Sequence, residues 1–415
     1  MIDRENSTRQ SQIAGTSAAS VAWVCGAEIL GLAGYSIVPA LLPQFIETWS
    51  LSSAQGGWFA GIMFAGYMLS VVPLVSLTDV VPARTVYLVS SALGAVSCFG
   101  VALSDDFGSA LSFRALAGIA LAGMYMPGLR ALSDRIEGPR RARVAAFYTS
   151  SFTIGASLSF LLGQASALWG WRSVFIAAGV LVLAGMLMAW AALPRSSIVG
   201  MPFKQRPQLP IGAVIRNRDV LVLIFAYAAV IWGSAGLRQW IVVFLGFCAG
   251  DAGYTATQDW SVLATAALIG LLGVPAGLLG NELAIRFGLR VTAMLVFLMS
   301  ALATTLFGLV GLMPFIAVVL LSLVAGFIVQ GNFSNLTSGL LVVADPQYTG
   351  ATMALYSCIG FGGGFLGTLM FGITLDEFGG IMQLTAWVLS FGTCGLACLA
   401  GAAATALLSR NISRY

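Results

Sequence analysis

The sequence predicts an all-α integral membrane protein, with twelve membrane-spanning helices arranged as two pseudo-symmetric six-helix bundles. Three observations predict it. Hydrophobic residues make up 59% of the 415 positions and charged residues 9%, against about 25% charged in soluble domains. A deficit of that size, sustained along the chain, means that most of the surface faces hydrocarbon. Apolar runs recur at about 20 residues, the length a helix needs to cross a bilayer core of about 30 Å. The two halves of the chain also echo each other.

Taken in order, residues 1–19 form a polar tail without the apolar centre of a signal peptide. The first span is therefore the expected insertion signal. The first bundle, 20–193, holds runs at 20–42, 56–77, 86–104, 109–130, 142–165 and 172–193. A connecting loop, 194–219, contains four prolines and five basic residues. The second bundle, 220–408, holds runs at 220–247, 259–281, 291–311, 315–342, 349–375 and 382–408, and 409–415 is a short tail. Helices follow because lipid offers no partner to an exposed backbone N–H or C=O. A barrel would show short alternating segments instead of these continuous apolar runs.

Basic residues set the orientation. Of the 20 Lys and Arg, all but Arg114, Arg172 and Arg238 fall in the tails or in loops on one side. The other side carries Glu47, Asp105, Asp106, Asp251, Asp259, Asp376 and Glu377. Both termini are expected to be cytoplasmic, in a bacterial inner membrane. The six cysteines are scattered in apolar runs and read as small core residues. With no histidine there is no zinc pattern, and no metal or cofactor is expected. The positive charge is spread over short loops, so no nucleic-acid footprint is present. GGGFLG (362–367) has the spacing of a dinucleotide loop but lies inside a span, where small residues serve helix packing. A membrane-embedded enzyme would need a nucleophile–base or metal constellation, which the spans do not supply.

The internal echo has two parts. LTDVVPAR (77–84) follows the second run and LAIRFGLR (283–290) the eighth. YTSSFTIGASLS (148–159) pairs with YSCIGFGGGFLG (356–367) at nearly the same offset. Parallel six-helix repeats joined by a basic loop are an architecture of secondary transporters. On these motifs the chain resembles the major facilitator superfamily over nearly its full length. That family carries a Gly-x-x-x-Asp-x-x-Gly-Arg-Arg/Lys turn after the second span. Here Asp79 and Arg84 remain, while Val75 and Pro82 stand at the glycine positions. In the second half Gly288 and Arg290 remain and Ile285 replaces the acid, with Glu282 one turn back to take its role. RALAGIALAGMYMP resembles the family's fourth-span motif through Arg114, Gly118, Ala122, Gly123 and Pro127. The fifth span lacks the proline of the family's exporters. YSIVPALLPQF and GLRQWIVVFLGF are loosely similar to cyanate- and nitrate-type carriers. The resemblance implies alternating access, a monomer, and a latch formed by Asp79, Arg84, Glu282 and Arg290.

Three ionisable residues lie inside spans: Glu28, Arg114 and Arg238. Such residues are costly in hydrocarbon and face a cavity or a partner. The resemblance places spans one, four, seven and ten around a central cavity, and the three charges fall on three of these. Glu28 is the candidate proton carrier, because a short carboxylate cannot reach either interface from about 12 Å into its span. Tyr35 shares its helix face. Arg114 is expected to bind Glu28 or substrate, or else to hold backbone carbonyl groups of a neighbouring span. Arg238 binds substrate or reaches to the outer interface. Gln330, Asn332 and Asn335 form a polar patch suited to orienting a substrate. Two arginines against one glutamate favour an anionic or zwitterionic small molecule moved with protons. The alternative is proton-driven export of drugs or metabolites.

Overall fold

The computed structural model describes residues 18–133, 139–193, 211–250 and 260–409. Both tails, most of the central loop, and Asp251 and Asp259 lie outside the described residues. Every described regular element is helical. The first half comprises α1 (Ala18–Gly31), α2 (Ile37–Ala40), α3 (Leu42–Thr48), α4 (Ser53–Leu77), α5 (Ala83–Leu103), α6 (Phe107–Ser133), α7 (Pro139–Leu162) and α8 (Ser166–Ala192). The second comprises α9 (Ile211–Arg216), α10 (Arg218–Cys248), α11 (Trp260–Leu271), α12 (Gly273–Phe287), α13 (Leu289–Phe307), α14 (Phe315–Gln330), α15 (Asn332–Val343), α16 (Thr349–Glu377) and α17 (Leu384–Thr405).

Ten described stretches are long and apolar enough to cross a membrane. Two features separate that number from the twelve runs of the sequence. The stretch 143–192 is 50 residues long and breaks at Gly170, whose φ of 76° suits a residue without Cβ. The first run is divided into α1, α2 and α3, so no single piece reaches spanning length. Large apolar side chains cover the outside, with Leu69, Leu103 and Leu168 each more than 70% exposed. An apolar surface of this extent belongs against lipid.

Glycine sets how closely the helices approach. In the first half α4 packs on α6. A Cβ on Gly118 would run into the Met63 carbonyl oxygen and come within 2.8 Å of the Tyr67 nitrogen. Gly66 faces the Ala115 carbonyl oxygen in the same way. The fourth-span glycine is thus a backbone-to-backbone contact point. In the second half Gly280 of α12 meets the carbonyl oxygen of Gly331, between α14 and α15.

The two halves meet chiefly where α4 packs on α16 and α7 packs on α11. We call the end where α4 begins and α16 ends the far end. There Gly57 and Gly61 abut Thr368, and Gly372 abuts the Ser53 carbonyl oxygen. The α4 N-terminus has its own capping box, Ser52 with Gln55. It also has a cap from the other half. The Asp376 carboxylate accepts from the backbone N–H of Ser53 at 2.7 Å and of Ala54 at 2.8 Å. These are charge-assisted bonds to orphan donors at the positive end of a helix dipole. Aromatic clusters fill each half near this end, around Phe45 and Trp171 on one side and Phe244 and Trp387 on the other.

Two outcomes are expected. Gly118→Ala lowers the melting temperature of the purified protein, because overpacking a backbone contact costs about 1–3 kcal/mol. Gly392→Ala, with nothing within 4 Å of the added Cβ, leaves it unchanged or raises it; equal losses at both sites would refute the contact. Asp376→Ala loosens the far end. Spin labels at exposed Thr48 and Met382 then report a longer distance population, and an unchanged distribution means that the cap does not hold the halves.

Candidate functional site

The site is organised by a break in a membrane helix. After Gly31 the chain leaves helical geometry until Ile37. A broken helix in the membrane frees carbonyl groups that need donors. Arg114 of α6 supplies them, donating from Nη1 to the Gly34 carbonyl at 2.9 Å and from Nη2 to the Tyr35 carbonyl at 2.6 Å. Arg114 is 2% exposed. Of the readings open in the sequence, the carbonyl clamp is the one this structure forms.

Glu28 and Arg114 do not pair. Glu28 is fully buried and its Oε2 accepts from the Tyr148 hydroxyl at 2.7 Å. Tyr87 and Met124 pack in the same cluster as Tyr148. The reason is axial distance: Arg114 reaches the chain six and seven residues beyond Glu28. Beside Arg114, inside the first half, lies a cavity of about 40 Å³ with Gly34, Ser97 and Cys98 in its wall. It has room for two or three waters, and is too small for an organic solute.

Arg238 of α10 is different. It is partly exposed and turned into the space between the halves. A Cβ on Gly270 of α11 would lie 3.3 Å from its Nη2. It sits within electrostatic reach of Tyr35, as does Arg114. Among the described residues Arg238 has no hydrogen bond and no ion pair, and its Nη2 is buried without a partner. Unfilled donors on a charged group in low dielectric are costly.

Rings from both halves gather at the same level. Tyr35 lies 5.5 Å from Phe152 and Tyr125 lies 4.8 Å from Phe152, centroid to centroid. Phe361 of α16 stacks on Tyr67 at 3.7 Å and packs against the same buried clusters as Tyr35. Tyr227 of α10 is within electrostatic reach of Tyr125 and Tyr35.

The polar patch is placed elsewhere. Gln330 Nε2 donates to the carbonyls of Ile269 and Gly326, at 2.7 Å and 3.0 Å. Asn332 Nδ2 donates to the Ala293 carbonyl at 3.1 Å, and Asn335 Nδ2 to Asn332 Oδ1 at 2.9 Å. All three are buried. These bonds tie the α14–α15 junction at Gly331 to α11 and α13. At the other end of the bundle Asp79 pairs with Arg130 at 2.6 Å, and Arg130 also donates to Thr78 Oγ1. Arg84 Nη2 donates to the Trp190 carbonyl at 2.7 Å. These bonds stay within the first half. Glu282 is exposed and Arg290 partly so, and the two form no ion pair among the described residues. Sequence reasoning missed Tyr148 and Arg130 as partners. Arg130 carried a signal, a cation at the end of a span facing an acid turn; Tyr148 carried none.

The Major Facilitator Superfamily family model matches residues 24–368. The chain is 30% identical to the 3-(3-hydroxy-phenyl)propionate transporter of Escherichia coli over 166 residues, 39% of this chain and 40% of that protein. It is 24% identical to the Escherichia coli hexuronate transporter over 246 residues, 54% of this chain and 56% of the other. The matches thus span about half the length of these relatives. In fold it is similar to a bacterial homolog of the human lysosomal transporter Spinster in an inward-facing, occupied conformation. The TM-score is 0.77 at 18% identity, covering 95% of this chain and 97% of that one. The length of the family match and the shared helical architecture make this chain a member of the major facilitator superfamily.

Proposed function

We propose that the protein is a secondary transporter that moves a small organic anion across a bacterial inner membrane by alternating access, as a monomer with both termini cytoplasmic. The observation that carries this reading is Arg238, a guanidinium between the two halves with no partner of its own. A carboxylate there completes two parallel charge-assisted bonds and cancels the cost of the buried charge. Tyr35, held in place by Arg114 through its carbonyl, presents its ring and hydroxyl beside the same position. The partial relatives named for hydroxyphenylpropionate and hexuronate both concern organic acids, which supports an anionic cargo.

Glu28 is the proposed proton carrier. It is the one acid buried inside a described span, it touches Tyr148, and its Oε1 has no partner. Protonated, it costs little in that setting; ionised, it needs water or a cation. Rocking of the halves about the α4–α16 and α7–α11 seams would change that supply. Transport then proceeds by anion and proton entry on one side, separation of the far-end seam against closure of the other, and release. Lipid provides the solvent, and no cofactor takes part in the scheme.

Two experiments test it in proteoliposomes with an imposed pH gradient. Arg238→Gln lowers kcat/KM for a carboxylate by about 10- to 100-fold, the worth of a charged hydrogen bond of about 1.5–3 kcal/mol. Arg238→Lys recovers only part of it. Arg114→Gln instead lowers thermal stability. Undiminished transport by Arg238→Gln would sink the anion-site assignment. Glu28→Gln abolishes accumulation against the gradient and preserves exchange; if accumulation survives, Glu28 does not couple the proton.

A further inference from the structure

We infer that the transported anion is an aromatic carboxylate, its carboxylate held by Arg238 and its ring seated among Tyr35, Tyr125, Phe152, Tyr227 and Phe361. The inference rests on the anion-transport reading above and narrows it to one chemical class.

Three facts about the space between the halves lead there. The first is what its walls are made of. The five rings come from five separate elements, three in the first half and two in the second, and each is partly exposed although it lies inside the bundle. Phe152 presents edges or tilted faces to Tyr35 and Tyr125, and Phe361 packs against the same buried cluster as Tyr35 and Phe152. The lipid-facing surface is dominated by leucine and valine instead. Aromatic side chains are thus concentrated where a solute would sit, and a flat ring fits edge-to-face and offset geometries that an aliphatic chain cannot use.

The second fact is charge. Arg238 lies within electrostatic reach of Tyr35 and has unfilled donors. The Arg114 fork, also in reach of Tyr35, is taken by two backbone carbonyls, and Glu28, in reach of Tyr125, is bonded to Tyr148. Arg238 is therefore the anchor for one negative group.

The third fact separates an aromatic acid from a hydroxyl-rich acid of the sugar type. A ring of hydroxyl groups needs acceptors and donors at several points, and each one left unmet costs affinity. The amides that could supply them, Gln330 and Asn332, spend their donors on backbone carbonyls. Glu28 is sealed away with Tyr148. The cluster offers tyrosine hydroxyls and ring faces, which suit an apolar ring and at most a phenolic group.

The test uses the full chain in proteoliposomes under an imposed pH gradient, with labelled 3-phenylpropionate, hexanoate and glucuronate as separate solutes. Ligand-induced thermal stabilisation of the purified protein is read in parallel. We expect 3-phenylpropionate to be moved at least about tenfold more efficiently than either of the others. Phe152→Leu should lower the ratio of kcat/KM for 3-phenylpropionate to that for hexanoate, chiefly by raising KM for 3-phenylpropionate; a purely structural role for Phe152 would depress both alike and keep the ratio. Transport of glucuronate in preference to 3-phenylpropionate overturns the aromatic assignment and leaves the anion reading standing. Equal handling of hexanoate and 3-phenylpropionate does the same. If no carboxylate is moved or stabilises the protein while a neutral or cationic solute is moved, the anion reading fails and this inference falls with it. If 3-phenylpropionate neither moves nor stabilises, the aromatic assignment is wrong whatever else is carried.

Discussion

After Gly31 the first helix stops being a helix, and the Gly34 and Tyr35 carbonyl groups in the break are taken up by the guanidinium of Arg114. Much of the centre of the molecule follows from that contact. Water is scarce at this depth, so the break persists only where donors are supplied. The arginine has a rigid fork and stays charged, and it reaches the break from α6. It fixes the chain between α1 and α2, and so fixes Tyr35 beside Arg238. In the second half neutral amides do the tying: Gln330 and Asn332 join the α14–α15 junction to α11 and α13. One half buries its arginine against two carbonyls with Nε left over; the other leaves Arg238 with a buried, unpartnered Nη2.

The sequence made the helices legible because lipid imposes one requirement on every span. The run expected at 56–77 is α4 at 53–77, and that at 220–247 lies within α10 at 218–248. Hydropathy fails where a span is apolar but not straight. Nothing in GLAGYSIVPA distinguishes a broken helix from a continuous one, since the residues that sustain the break are on α6. Spacing also located the three charges but not their partners. Glu28 and Arg114 looked complementary by sign, yet each found a nearer neutral partner, a tyrosine hydroxyl and a pair of carbonyls. The polar patch at Gln330, Asn332 and Asn335 was read as facing a solute. Spacing could not show that Gln330 and Asn332 donate to backbone carbonyls of α11, α13 and α14.

Glycine explains why the two halves look alike without strong sequence identity. Gly66 and Gly118 bring α4 and α6 to backbone contact, and Gly280 meets Gly331 in the corresponding place. A repeat can drift in every side chain and keep its geometry if these few positions stay small. The motif positions that did drift, Val75 and Pro82, lie at the turn instead, where Asp79 draws on Arg130 for its ion pair.

The seam between the halves is built from the same material. Gly57, Gly61 and Gly372 press smooth backbone against Thr368 and Ser53, with one carboxylate capping a foreign helix. Beside these backbone contacts the Phe365 and Trp240 rings close against Gly61 and Gly372, and Trp58 meets Phe365 edge-on across the seam. Parting the far end costs the dispersion contacts of a shallow surface and the hydration of two amide groups, which water can take over as soon as it enters. In the proposed rocking of the two halves, opening this end would therefore begin with release of the clasp, and the rings behind it would have to part in turn.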